Sequence, residues 1–298
     1  MHVLYLPSAH ASIVENVKLL AAEGINIEAL PIREYRVDTE ALVKMIRRET
    51  VLVSMDAVCG ETGVVWNTRE VAEVLKKVRG GPTATRIMLH VDASQAPLTE
   101  KITRAHFGAD MLVLDASKVG EVRVIGALIA HRTIPIIPLY KGGGQERGLR
   151  PGSGTPLLAK SFAMALCAAA RDRELFCAAA KRERAELIKN ITGTIKNVSV
   201  QEGRAQAPNI LNLSLPGRDT DYLVALLDEA GFAVSTRSAC ETDSKEGSRA
   251  VLALTGDPER ARATLRISWG SGVGPRGLTR FSRALIEAVA FIDKSNQG

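Results

Sequence analysis

Two apolar runs, one crossover apart, end in residues of opposite charge. RIMLHVDASQ closes on Asp92 and Gln95, and DMLVLDASKVG closes on Lys118. In a parallel sheet both ends lie at the carboxyl edge, where open α/β sheets bind ligands. A lysine that forms a Schiff base and an aspartate that pairs with a pyridine nitrogen are the minimum kit for pyridoxal phosphate. Each residue also has an ordinary reading. An aspartate before Ala and Ser serves as a turn or cap residue, and a lysine after a strand is usually just solvated.

The elements around these ends are those of a two-part α/β protein. The 298 residues are 46% hydrophobic, enough to bury a sizeable core in about two domains. HVLYL, INIEALPI, TVLVSMD, RIMLHVD, DMLVLD and VIGALIA read as strands, with SIVENVKLLAAEG and TEALVKMIRRE at helical spacing between them. This alternation predicts a mainly parallel sheet over residues 1–156. A glycine-rich stretch, KGGGQERGLRPGSGTP, precedes an Ala-rich connecting helix over 157–190. Beyond it NVSVQ, NILNLSL, FAVST and ATLRISW read as strands and TDYLVALLDEA and GLTRFSRALIEAVAFI as helices, a smaller α+β domain over 191–298.

Several functions are disfavoured by composition. The net charge of +6 comes from basic residues interleaved with acids, as in KRERAELIK, without aromatic residues for base stacking, so no nucleic-acid partner is expected. No segment offers ~20 apolar residues in a row and the start carries no basic leader, so the expected location is cytoplasmic and no membrane partner is expected. Cys59, Cys167, Cys177 and Cys240 form neither CxxC pairs nor Cys/His spacing, which argues against disulfides and zinc. Cys167 and Cys177 fall on apolar stretches and read as core residues, whereas Cys240 lies outside any apolar pattern. The glycines at 142, 143, 144 and 148 fit no GxGxxG, and no GxxxxG loop precedes Lys118, so the run reads as a loop.

HVDASQ, ASK after a strand, GGGQERGLRPG, APNILNLS, RSAC and LRIS follow one another in the order seen in cysteine desulfurases and the related selenocysteine lyases. On these motifs the chain resembles that family, pyridoxal-phosphate enzymes of the class V aminotransferase group, over essentially its whole length. The resemblance implies the fold-type-I architecture of those enzymes. It implies that Lys118 holds the cofactor and moves the proton at the substrate α-carbon, that Asp92 keeps the pyridine nitrogen protonated, and that Gln95 bonds the phenolic oxygen. His10, in PSAHASI, matches the histidine that stacks on the ring. Arg266, in LRISWG, matches the arginine that grips the substrate carboxylate, a task suited to a planar guanidinium, and Asn209 joins it on the substrate side. Cys240 matches the nucleophile that takes sulfur from L-cysteine, leaving alanine and a persulfide; Arg237, three residues earlier, could lower its pKa. Further implications are a sulfur acceptor protein, a setting in iron–sulfur cluster assembly, and a homodimer with shared sites.

The chain also departs from the pattern. Met1 stands almost directly before the first matching strand, so the arm and loop that wrap the cofactor phosphate in relatives are expected to be missing. Relatives carry Ser-x-His-Lys where this chain has Asp115, Ala116, Ser117 and Lys118. Were Asp115 to face a phosphate at about 4 Å, the two charges would repel by roughly 4 kcal/mol at an effective dielectric near 20, about a thousandfold in affinity. Cys59 and Gly60 stand where relatives have two asparagines, although Glu61, Thr62 and Gly63 fit. The resemblance puts Ser153, with Thr155 nearby, where a threonine of relatives reaches the neighbouring subunit's phosphate, so that either hydroxyl is expected to donate there, and Ser117 is expected on the phosphate as well. The alternatives to a desulfurase are a non-catalytic homologue or dimer partner that binds cofactor weakly, one half of a split enzyme, and a selenocysteine lyase.

Overall fold

The computed structural model describes residues 1–78, 87–236 and 247–296. The first half runs β1 (His2–Tyr5), α1 (Ala11–Ala22), β2 (Asn26–Ala29), β3 (Ile32–Arg33), β4 (Arg36–Val37), α2 (Thr39–Met45) and β5 (Thr50–Asp56). It continues with α3 (Thr68–Val78), β6 (Met88–Asp92), α4 (Arg104–Phe107), β7 (Met111–Asp115) and β8 (Gly126–Ala130). Six of these strands form one sheet in the order β2-β1-β5-β6-β7-β8. All neighbours are parallel except β7 and β8. The run INIEALPI divides into β2 and β3 because Pro31 interrupts it.

Register decides which residues can meet at the sheet's carboxyl edge. Met55, Val91 and Leu112 are partners across β5, β6 and β7, and all three are fully buried in one face. One residue along, on the opposite face, Ser54 pairs with His90 and then Asp56 with Asp92. Side chains alternate along a strand, so these four form a polar ladder that climbs to the carboxyl edge.

The remainder comprises α5 (Pro156–Thr194), β9 (Ser199–Val200), β10 (Ile210–Ser214), α6 (Thr220–Glu229), α7 (Arg249–Thr255), α8 (Pro258–Arg262), β11 (Thr264–Ser268) and α9 (Pro275–Ser295). The three strands form an antiparallel sheet in the order β11-β10-β9. Local chemistry fixes the helix starts: Asp219, Ser248 and Asp257 each accept backbone N–H bonds at the N-termini of α6, α7 and α8.

Two hydrophobic cores result. One lies around the six-stranded sheet and includes Leu4, Met55, Leu75, Leu89, Leu112 and Phe162. The other gathers Leu187, Ile191, Leu211, Leu265, Phe281 and Leu285 behind the antiparallel sheet. The helix α5 contributes to both, through Phe162 near its start and Leu187 and Ile191 near its end.

Two sequence readings are corrected. Cys167 is exposed and Cys177 only half-buried, because the middle of α5 is turned away from both cores. FAVST forms no strand in its described part. It meets β11 at a single bridge, Ser235 with Arg266, while Phe232 and Val234 pack against the second core.

Candidate active site

The carboxyl edge of the large sheet brings the chemistry together. Asp92 ends β6, half-buried, and its Oδ1 accepts the Ser94 N–H at 2.9 Å. This contact is the ordinary turn role of such an aspartate, and it fixes the direction of the carboxylate. Lys118 ends a short 3₁₀ turn (Ala116–Lys118) that follows β7, the strand beside β6, and its side chain is exposed.

Gln95 lies against Gly60. A Cβ built on Gly60 would stand 3.0 Å from Gln95 Nε2 and 3.3 Å from its Cγ, so this glycine makes room for the amide. The Gly60 carbonyl accepts a 3.3 Å bond from Arg266 Nη1, which reaches across from β11. The segment 59–63 is therefore gripped from both sides. Asn212 Nδ2 donates to the Glu61 carbonyl at 3.2 Å and Gln206 Nε2 to the Thr62 carbonyl at 2.6 Å. The Ser248 hydroxyl donates to Glu61 Oε2 at 2.6 Å while capping α7. Gln206, Asn212 and Ser248 escaped sequence reasoning, since their partners lie more than 140 positions away.

His10 is the N-cap of α1, exposed, with Nδ1 accepting from the Ser12 N–H at 3.2 Å and 2.9 Å from Ser12 Oγ. Asn209 is buried, and its amide donates to the Trp269 carbonyl at 3.1 Å. Ser117 is engaged by its neighbour: its hydroxyl donates to Asp115 Oδ2 at 2.7 Å and its N–H to Asp115 Oδ1 at 2.9 Å. The Asp115 carboxylate thus caps its own turn. Ser153 and Thr155 are exposed, and Thr155 precedes α5 without a side-chain cap bond.

Cys240 and Arg237 lie outside the described residues. Their described neighbours in sequence are tied to the same rim. Ser235 pairs with the Arg266 backbone in both directions, and Ser248 holds Glu61.

The acid–base character of the rim is set by burial. Burial first, then the negative charges of Asp92 and Glu61, pushes the Asp56 carboxyl well above the usual carboxylate range. The same causes, burial first and then Asp56 and Glu61, push the Cys59 thiol up to about 12, so Cys59 is a packing residue rather than a nucleophile. Burial lowers His90 against the opposing pull of Asp92, and its Nδ1 lies 2.8 Å from Ser54 Oγ.

These residues fit the ring portion of pyridoxal phosphate. A carboxylate ends β6 and a lysine follows the end of the adjacent β7, with the Gln95 amide seated beside them in the space that a side chain at Gly60 would fill. Ser8 Oγ and Asp56 Oδ1 are buried polar atoms with no partner among the described residues, on the two chain segments that line this end of the sheet.

Residues 1–271 match the family described as aminotransferase class-V. The chain belongs to that family. Among class-V relatives, the "Cysteine desulfurase IscS 1" of Archaeoglobus fulgidus is 28% identical over 270 residues, covering 90% of this chain and 69% of the relative. The mitosomal cysteine desulfurase of Encephalitozoon cuniculi is 32% identical over 295 residues, covering 97% of this chain. The chain spans 65% of that relative's length. In three dimensions a solved NifS-like protein superposes with a TM-score of 0.87 at 24% identity, over 97% of this chain and 75% of the other, a match in fold. Among the described residues of this class-V chain, no helix is long and apolar enough to cross a membrane.

Proposed function

We propose that the chain is a pyridoxal-phosphate-dependent, cysteine desulfurase-like protein that takes sulfur from L-cysteine. The observation that carries this reading is the gathering of Asp92, Gln95, Gly60 and Arg266 at one sheet edge, with Lys118 following the end of the adjacent strand β7. The relatives named as cysteine desulfurases support the choice of substrate.

The residues divide the work. Lys118 Nζ would hold the cofactor covalently, and when free it carries the α-proton of the substrate to and from carbon. Asp92 would accept the ring N–H, Gln95 would bond the phenolic oxygen and His10 would pack on the ring. The bound cofactor supplies an electron sink for the carbon next to the amino group. Arg266, with Asn209 close to the end of its strand, receives the substrate carboxylate. Cys240 then acts as nucleophile: its thiolate forms a bond to the substrate sulfur as the carbon–sulfur bond breaks, and protonation of that carbon gives alanine. A persulfide stays on Cys240 for delivery to an acceptor protein.

A homodimer completes the site in this reading. Val124 is 93% exposed, Ile137 87%, Leu139 93% and Leu157 81%, an apolar series running from β8 to the start of α5. Ser153 and Thr155 lie within it, suited to reach a second copy's phosphate site. Light scattering should find two chains per particle.

A second reading, a class-V protein that binds cofactor weakly and does not turn over, is favoured by the capture of Ser117 by Asp115. One titration separates the two. Pyridoxal phosphate added to the purified chain should give a saturable yellow absorbance that Lys118→Ala abolishes; a colourless protein, or a colour that survives the substitution, overturns the enzyme reading.

A further inference from the structure

The polar ladder beneath the rim ends in two carboxyls, not one. Asp56 is the last residue of β5 and Asp92 the last of β6, and the two are register partners in a parallel pair. Partners of this kind leave the same face of the sheet from strands about 4.8 Å apart. Asp56 is only 4% exposed, and its Oδ1 has no partner among the described residues. Among the described residues the charged groups acting on it are both acidic, Asp92 on β6 and Glu61 in the segment after β5. Below it on the ladder stands His90, held to Ser54, and on the β1 side Leu6 and Ser8 are uncharged. Two ionised carboxylates side by side in such a place repel, and Asp56 lacks the water that would screen it.

We propose that Asp56 and Asp92 act as one unit that holds a single proton between two carboxyls, with Asp56 as a positioning residue for Asp92. The unit then presents one negative charge toward the ring nitrogen, and Asp56 supplies a donor that orients the carboxylate from behind. The role of Asp92 as ring partner rests on the function proposed above; the shared proton does not.

The test begins on the cofactor-free chain. Infrared spectroscopy at neutral pH should detect the carbonyl stretch of a protonated carboxylic acid, and Asp56→Asn should remove it. Asp92→Asn leaves Asp56 in place and should lower the titration midpoint of that band by about one pH unit, since a neighbouring negative charge is gone. It keeps the idea falsifiable even if Asp56→Asn does not fold. In the cofactor-loaded protein, the yellow absorbance should show an alkaline pH limb that Asp56→Asn abolishes. Absence of the band in the parent chain, its survival in Asp56→Asn, or an unchanged midpoint in Asp92→Asn each overturns the unit. A chain that shows the coupled band but never binds pyridoxal phosphate would sink the functional reading alone; one that binds it without the band would sink only the shared proton.

Discussion

The inner and outer rims of the same sheet edge are built in opposite ways. The inner rim, residues 56–63 with Asp92 and Gln95, is held by Gln206, Asn212, Ser248 and Arg266 from distant parts of the chain. The outer rim, Asp115–Lys118 and the glycine-rich stretch beyond, satisfies itself over two or three residues or lies exposed. Long-range bonds of the first kind hold the segment in one arrangement, and removing one leaves a buried group unsatisfied. Local bonds of the second kind leave the outer rim independent of the rest of the fold, so it can change chemistry without costing stability.

Substitutions at the two rims should separate these behaviours. The largest effect is expected from Arg266→Ala, which removes both the bond to Gly60 and the proposed carboxylate grip; KM for L-cysteine should rise about a hundredfold, the worth of a bidentate charge-assisted contact. Steady-state kinetics reads it, and an unchanged KM would detach Arg266 from substrate. Next comes Ser248→Ala, which removes the cap of α7 and the donor to buried Glu61, at a cost of about 2 kcal/mol in urea unfolding. At the outer rim, Asp115→Ala should cost under about 1 kcal/mol of stability yet improve pyridoxal phosphate affinity by about tenfold, by freeing the Ser117 hydroxyl and removing a negative charge. Equilibrium absorbance titration decides; weaker binding would mean that Asp115 serves the site.

The smallest effect concerns Cys59. Its thiol is raised from 9.0 to about 12 in the folded chain, so the unfolded state loses its proton first as pH rises. Stability owed to this group is complete below pH 9 and falls between 9 and 12, by about 1.4 kcal/mol at pH 10. Cys59→Ala should flatten that limb of the urea-unfolding pH profile. At pH 8 iodoacetamide should label exposed Cys167 and leave Cys59 untouched until the chain unfolds, as peptide mass spectrometry will record.

The same division explains what could be read from sequence. Asp92, Gln95 and Lys118 were legible because strand ends and turn residues are local signals, and β1, β5, β6 and β7 announced themselves as apolar runs. Asp56 gave no such sign: in TVLVSMD it is one more residue at the end of a strand, and only register puts it beside Asp92. Gly60 stands where relatives have an asparagine, and its room for Gln95 and its carbonyl bond to Arg266 come from residues far away in sequence. Cys167 misled for the converse reason. An Ala-rich helix carries apolar residues all round, and periodicity does not say which stretch of a long helix finds a core.

That long helix has a mechanical consequence. At 39 residues α5 extends about 58 Å, with Phe162 rooted in one core and Leu187 and Ile191 in the other. It is an axle common to both parts of the molecule. Neither part can swing on it without bending a continuous run of backbone bonds, and a twist applied at one end is delivered at the other. A second tie reinforces the axle at residues 59–65, where four side-chain bonds and the backbone bonds Val65 N–H to Ala205 and Ala207 N–H to Gly63 pin the two parts together.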